Sequence, residues 1–147
     1  MTTIGLLDVL SLDGSEKREI QSINKICAGI KPREALSGRT RARLLALFSG
    51  RFENAEDLVK KGAVSKFVFK PSGRVIWTVK GRGGEYQVIP NSNFCNCDDY
   101  YFRVMDRQKQ LCYHIIAQKL AESLQKFGVQ NLSDSQYGSV TRKWRTS

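Results

Sequence analysis

The sequence predicts an α+β fold on three observations. Helical spacing dominates up to about residue 63, strand alternation takes over at Val64, and one strong amphipathic stripe returns after His114. The first helix is expected over 15–28, "SEKREIQSINKICA", where Ile20, Ile23 and Cys27 share a face. Asp13 and Glu16 form a capping-box pair at its start and Gly29 closes it. A basic connector, "IKPREALSGRTRAR", carries Lys31, Arg33, Arg39, Arg41 and Arg43 against one acid, Glu34. "RARLLALFSG" then places Leu44, Leu47 and Phe48 on one helical face, with Gly50 just past the end. Asn54 is expected to cap a short helix, "AEDLVKKG", with Glu56 and Asp57 in the first turn and lysines in the last. That charge order suits the helix dipole.

From Val64 to Pro90 the period drops to two. Phe67 and Phe69 alternate with polar neighbours, Val75, Trp77 and Val79 share a face, and "PSGR" and "GRGG" supply the turns of a three-stranded antiparallel meander. "HIIAQKLAESLQKFG" lines up Ile116, Leu120, Leu124 and Phe127, with Gly128 beyond its end. Three segments follow: a helical, basic segment over 1–53, a helix–meander–closing-helix unit over 54–128, and a polar, basic tail over 129–147 that is disordered or orders on a partner.

At 147 residues, with 41% hydrophobic and 10% aromatic residues, the chain suits one folded domain. No apolar run reaches the roughly 18–20 residues needed to span a bilayer. The N-terminus lacks the basic lead-in and cleavage site of a secretory signal. An intracellular protein is therefore expected, nuclear or cytoplasmic, in which clustered cysteines point to metal rather than to disulfides. Lys and Arg total 24 against 14 acids, a net charge of +10, which favours polyanionic partners.

Three of the four cysteines and the sole histidine fall in "FCNCDDYYFRVMDRQKQLCYH", Phe94 to His114. Cys95 and Cys97, two apart on extended backbone, can turn both sulfurs to one ion. Cys112 and His114 share that spacing, but mid-helix they would diverge by roughly 200°. Cys112 is thus expected at or before the helix start, with His114 in the first turn and the helix N-terminus favouring the thiolate. Three thiolates and an imidazole complete a tetrahedral Zn²⁺ shell with no open position, which makes a structural site coupled to folding. Cys27, on the apolar face of the first helix, is expected to be a small core residue.

The pattern Cys95-x-Cys97, a long spacer, then Cys112-x-His114 resembles the SWIM-type zinc finger. Ala117, three residues after the histidine, fits the C-x-H-x-x-A extension of the small SWIM subunits of Shu-type recombination complexes. The flanks agree: a short helix containing "LV", a "PSGR" hairpin and a meander running into the finger. The resemblance spans Ala55 to Glu122. It implies a small, non-catalytic protein that binds a RecA-family recombinase paralogue and supports homologous recombination and DNA repair. It assigns the metal to Cys95, Cys97, Cys112 and His114, and makes Ala117 a small residue needed for close helix packing. The spacer "DDYYFRVMDRQKQL" is more charged than in some members, so no contact surface is carried over there.

Two function classes follow. An interaction module would dock the recombinase paralogue, or a second copy of the chain, through aromatic anchors: Tyr100, Tyr101 and Trp144, with Phe102 expected to pack under the finger. A stand-alone, sequence-tolerant nucleic-acid-binding zinc protein is the alternative. It would grip single-stranded or duplex DNA with Lys31, Arg33, Arg39, Arg41, Arg43, Lys70, Arg74, Arg142, Lys143 and Arg145, aided by Lys66, Lys80 and Arg82. Neutralising the Arg39/Arg41/Arg43 set separates the two, because DNA affinity should fall while partner binding survives. No enzyme is expected: the lone histidine is committed to zinc, and Asp98 and Asp99 read as a solvated turn.

Overall fold

The computed structural model describes residues 18–97, 100 and 111–145, the last three without their side chains. Helix α1 occupies 18–28; its expected capping pair lies outside the described residues. Ile23 and Ile26 are buried and Cys27 packs against the core, its thiol 3.9 Å from the Lys119 carbonyl. Gly29 ends the helix as expected, its N–H donating to Ile26 at 3.1 Å.

Helix α2 (Gly38–Phe48) starts at Ser37, whose hydroxyl accepts from the Thr40 N–H. Leu44 and Phe48 are buried, but Leu47 is 37% exposed. Helix α3 (Gly50–Lys60) begins four residues before the expected Asn54 cap. Ser49, at φ 51°, makes the break between the helices that was assigned to Gly50. The early start puts Phe52, fully buried, on one face with Ala55 and Val59, and that burial outweighs the capping preference of Asn54.

The meander forms as expected: β1 (Val64–Lys70), β2 (Arg74–Gly81) and β3 (Gly84–Ile89), all antiparallel. The expected three-stranded sheet is nonetheless only the middle of a mixed five-stranded one, ordered β4-β3-β2-β1-β5. Strand β4 (Phe94–Cys95) extends it antiparallel to β3, and β5 (Gly128–Ser133) runs parallel to β1, from Ser65 opposite Gly128 to Lys70 opposite Ser133. Trp77 and Val79 share the face that meets the helices, while Val75, at the strand end, is 45% exposed.

Helix α4 (Tyr113–Leu124) closes three residues before the expected end. Gln125 takes the left-handed conformation and Lys126 donates back to Ala121 at 2.9 Å, which frees Phe127 to stack edge-on against Trp77 at 4.8 Å. Ala117 is fully buried in this helix. Substituting Ala117→Val overfills that position and should cost about 1–3 kcal/mol while zinc stays bound. Urea denaturation beside metal analysis checks this; unchanged stability with an intact partner complex would show that the position tolerates bulk.

The basic tail is largely ordered. After β5, Ser133 and Gln136 form a capping box and α5 (Tyr137–Arg145) follows. Asp134 accepts the Ser72 hydroxyl at 2.7 Å and the Ser72 N–H at 3.0 Å, pinning the segment to the β1–β2 turn. Tyr137 meets Phe69 edge-on at 5.0 Å. The reason is the second face of the meander: Phe67, Phe69 and Ile76 would be solvated without Leu132, Tyr137 and Val140 over them. Each such side chain gains roughly 1.5–3 kcal/mol on burial. The sheet thus lies between α1–α4 on one face and α5 on the other.

Candidate metal centre

The sheet edge and the α4 N-terminus build the site together. Cys95 sits in β4 opposite Val88, and Asn96 locks the next step: its side-chain oxygen accepts the Gln87 N–H at 2.9 Å and its own N–H donates back to Gln87 at 3.3 Å. This pairing turns Cys97 in beside Cys95. Cys112 is the N-cap of α4, extended at φ −79° and ψ 164°, and His114 stands in the first turn. Both placements match the expectation from spacing. The four donor atoms lie within 4.8 Å of one another, and all four residues are buried.

The imidazole is tightly framed. Tyr113 and Tyr86 hold it with ring centroids 4.2 Å and 4.8 Å away. The end of β2 comes so close that a Cβ on Gly81 would fall 2.7 Å from His114 Nε2, so this position requires glycine. Behind Cys112, the Arg51 guanidinium donates to the Leu111 carbonyl at 2.7 Å and grips Glu19 at 2.6 and 3.1 Å, tying α1 and α3 to the second half of the finger. Neither Asn96 nor Arg51 was singled out by the sequence reading. A polar residue between paired cysteines and an arginine inside an apolar helical stripe were the available signals.

The chemistry of the cluster fits a divalent cation. Among the described residues neither nitrogen of buried His114 has a hydrogen-bond partner, an expensive condition that a metal bond to one of them relieves. The sulfurs oppose one another's ionisation. Hydrogen bonds from Cys112 and Cys95 depress Cys97, helped by the Tyr100 N–H at 3.3 Å. Cys95 is pushed up by its bonds to Cys112 and Cys97, and Cys112 chiefly by burial. One thiolate is stable alone; a cation at the centre lets all three ionise. Three sulfurs and one nitrogen select zinc, with four protein donors and hence a closed shell.

Zinc finger SWIM domain-containing protein 7 homolog of Dictyostelium discoideum is 29% identical over 93% of this chain and 80% of its own length. The chain resembles SWIM zinc finger proteins. Zinc finger SWIM domain-containing protein 7 of Mus musculus is 25% identical over 78% of the chain and 76% of its own length, and that of Homo sapiens 23% over 80% and 85%. No family profile and no solved structure matches. The Cys₃His set of this SWIM-like finger is accordingly a zinc site.

The expected anchors and cations are scattered around the finger. Tyr100 is half-buried, edge-on to Phe94 at 5.0 Å; Tyr101, Phe102, Asp98 and Asp99 lie outside the described residues, as do the side chains of Lys143, Trp144 and Arg145. Lys31, Arg33, Arg39 and Arg43 are exposed in the helical layer. Arg41, expected to be free for phosphate, is instead bound by Glu56 through two bonds of 2.7 and 2.8 Å and leans on Phe52. Hydrogen bonding to Arg41 holds Glu56 below its ordinary carboxylate value, so this pair stabilises fully above the ordinary value and its contribution is lost as pH falls from there through the depressed one. Lys70 and Arg74 flank the β1–β2 turn, Arg74 over the Tyr137 ring, and Arg142 is exposed on α5. Helix α5 covers the face of the sheet opposite the layer that holds the α2 cations. Among the described residues no helix is long and apolar enough to cross a membrane.

Proposed function

We propose that this chain is a non-catalytic, zinc-stapled accessory factor for homologous recombination that works inside the cell by binding a RecA-family recombinase paralogue, with auxiliary affinity for DNA. The closed Cys₃His shell carries this reading. Four buried protein donors leave no position for a substrate at the metal, and they consume the only histidine of the sequence. The likeness to SWIM domain-containing proteins along most of the chain supports it, as does the Shu-type C-x-H-x-x-A pattern ending at Ala117. The exposed cations Lys31, Arg33, Arg39 and Arg43 supply the auxiliary DNA contact, and they equally support a stand-alone nucleic-acid-binding protein.

Co-expression with a RecA-family paralogue separates the two readings. The accessory role requires a stoichiometric complex that survives Arg39→Glu with Arg43→Glu, while affinity for an oligonucleotide falls severalfold. Tight DNA binding with no paralogue complex would instead establish the stand-alone role.

A further inference from the structure

A cavity of about 200 Å³ opens in the helical layer, between the 31–37 connector, α2, α3 and the C-terminal end of α4. Its floor is apolar: Leu36, Val59, Leu120 and Leu124, the last three buried in the core. The connector wall is preformed. The Arg33 N–H donates to the Leu124 carbonyl at 2.9 Å, and Arg33 is held in the left-handed region at φ 67°. A residue with a Cβ keeps that conformation only where its surroundings enforce it.

Size and charge decide the occupant. Cofactors and drug-sized ligands need about 300 Å³ or more, whereas about 150 Å³ lined by apolar side chains holds one benzene ring. The rim is cationic. Glu56, the one acid among the described residues of the lining, accepts two hydrogen bonds from Arg41, and the Lys60 ammonium stands 3.8 Å from it. That last distance is longer than a hydrogen bond, and the side chains of Lys60 and Arg41 stay 70% and 43% exposed. Cations above an apolar floor favour an aromatic ring, with its electron-rich face, over an aliphatic chain. They also favour acidic residues beside that ring. A second copy of this chain would bring a net charge of +10 to the rim, which a partner with an acidic segment does not.

We propose that this cavity receives one aromatic side chain of the protein partner, from a segment whose neighbouring acids meet Arg41 and Lys60. The proposal rests on the partner-binding reading above and gives it a place. It leaves the α2 cations to DNA: Arg39 and Arg43 lie about one turn apart on that helix, and Arg41 lies roughly 200° round it from Arg39.

The test is isothermal titration calorimetry of the full-length, zinc-loaded chain with the purified RecA-family paralogue, beside native mass and affinity for oligo-dT. Ala35→Trp, at the exposed lip of the cavity, obstructs it with a ring of the chain's own. The complex should weaken roughly thirtyfold, the loss expected of a central anchor, while oligo-dT affinity, zinc content and melting temperature stay at wild-type values. If that variant melts early, Ala35→Phe carries the test. Lys60→Glu should weaken the complex about fivefold at low salt and little at high salt. Wild-type paralogue affinity in the folded Ala35 variant would overturn the cavity as the anchor site and leave the partner-binding reading intact. An unchanged complex in Lys60→Glu would overturn the acidic segment. A wild-type dimer that the Ala35 variant turns into a monomer would overturn the partner in favour of a second copy. A wild-type chain that binds no paralogue would overturn the reading above and, with it, the occupant named here.

Discussion

Cys112→Ser or His114→Ala loses the metal and unfolds at least the C-terminal half of the protein. The ligands come from two separate elements, the end of β4 with the residues just after it and the N-cap and first turn of α4. Structural zinc contributes about 10–16 kcal/mol of apparent binding free energy at neutral pH. A typical domain is stable by only about 5–15 kcal/mol in total. Without the ion, Cys95, Cys97, Cys112 and His114 become buried polar groups at the base of the core, with two imidazole nitrogens unsatisfied. Metal analysis by mass spectrometry and far-UV circular dichroism check this on the variants and on chelator-treated wild type. Acidification should act like the chelator, since protons compete with zinc for the thiolates. A variant without zinc that melts at the wild-type temperature would remove the structural role.

Arg51→Ala should cost about 3 kcal/mol, the lower end for breaking a buried pair because Glu19 keeps some contact with water. The guanidinium is 10% exposed, lies over the Phe48 ring and serves both Glu19 and the Leu111 carbonyl, so its removal strips the carbonyl next to Cys112 as well as a carboxylate. Urea denaturation measures the loss. Pairing Arg51→Met with Glu19→Gln should recover a large part of it, since the double change removes the stranded charge together with its partner. A single variant within about 0.5 kcal/mol of wild type would show that α1 is not fastened to the finger through this residue.

Much of the metal centre was legible because coordination chemistry leaves little freedom. Four soft donors at paired spacing define a shell, and helix geometry dictates that Cys112 precede the first turn. The meander was legible for a similar reason, since alternation and two glycine-rich turns admit one pairing of neighbours. What escaped was non-local. Strand β5, "GVQNLS", has one side chain packed inward, Leu132, and no clean alternation, so only its pairing to β1 marks it as a strand. Helix α5 looked like a solvated basic tail because the apolar face it covers belongs to Phe67 and Phe69, some seventy residues upstream. The Ser133–Gln136 capping box was the local signal available for its start. The early start of α3 escaped because Gly50 and Asn54 each carry a strong local preference that Phe52 overrides by burial.

The parallel pairing of β5 with β1 also sets an order in time. Synthesis delivers β1, the hairpins, Cys95 and Cys97, then Cys112 and His114, and only afterwards Gly128–Ser133. All four zinc donors therefore leave the ribosome before the strand that completes the sheet. During that interval β1 is an open edge and Phe67, Phe69 and Ile76 are uncovered, which is the condition under which nascent chains aggregate. Zinc capture at this stage would fix the finger half of the fold while Leu132, Tyr137 and Val140, which cover the other face, are still to come.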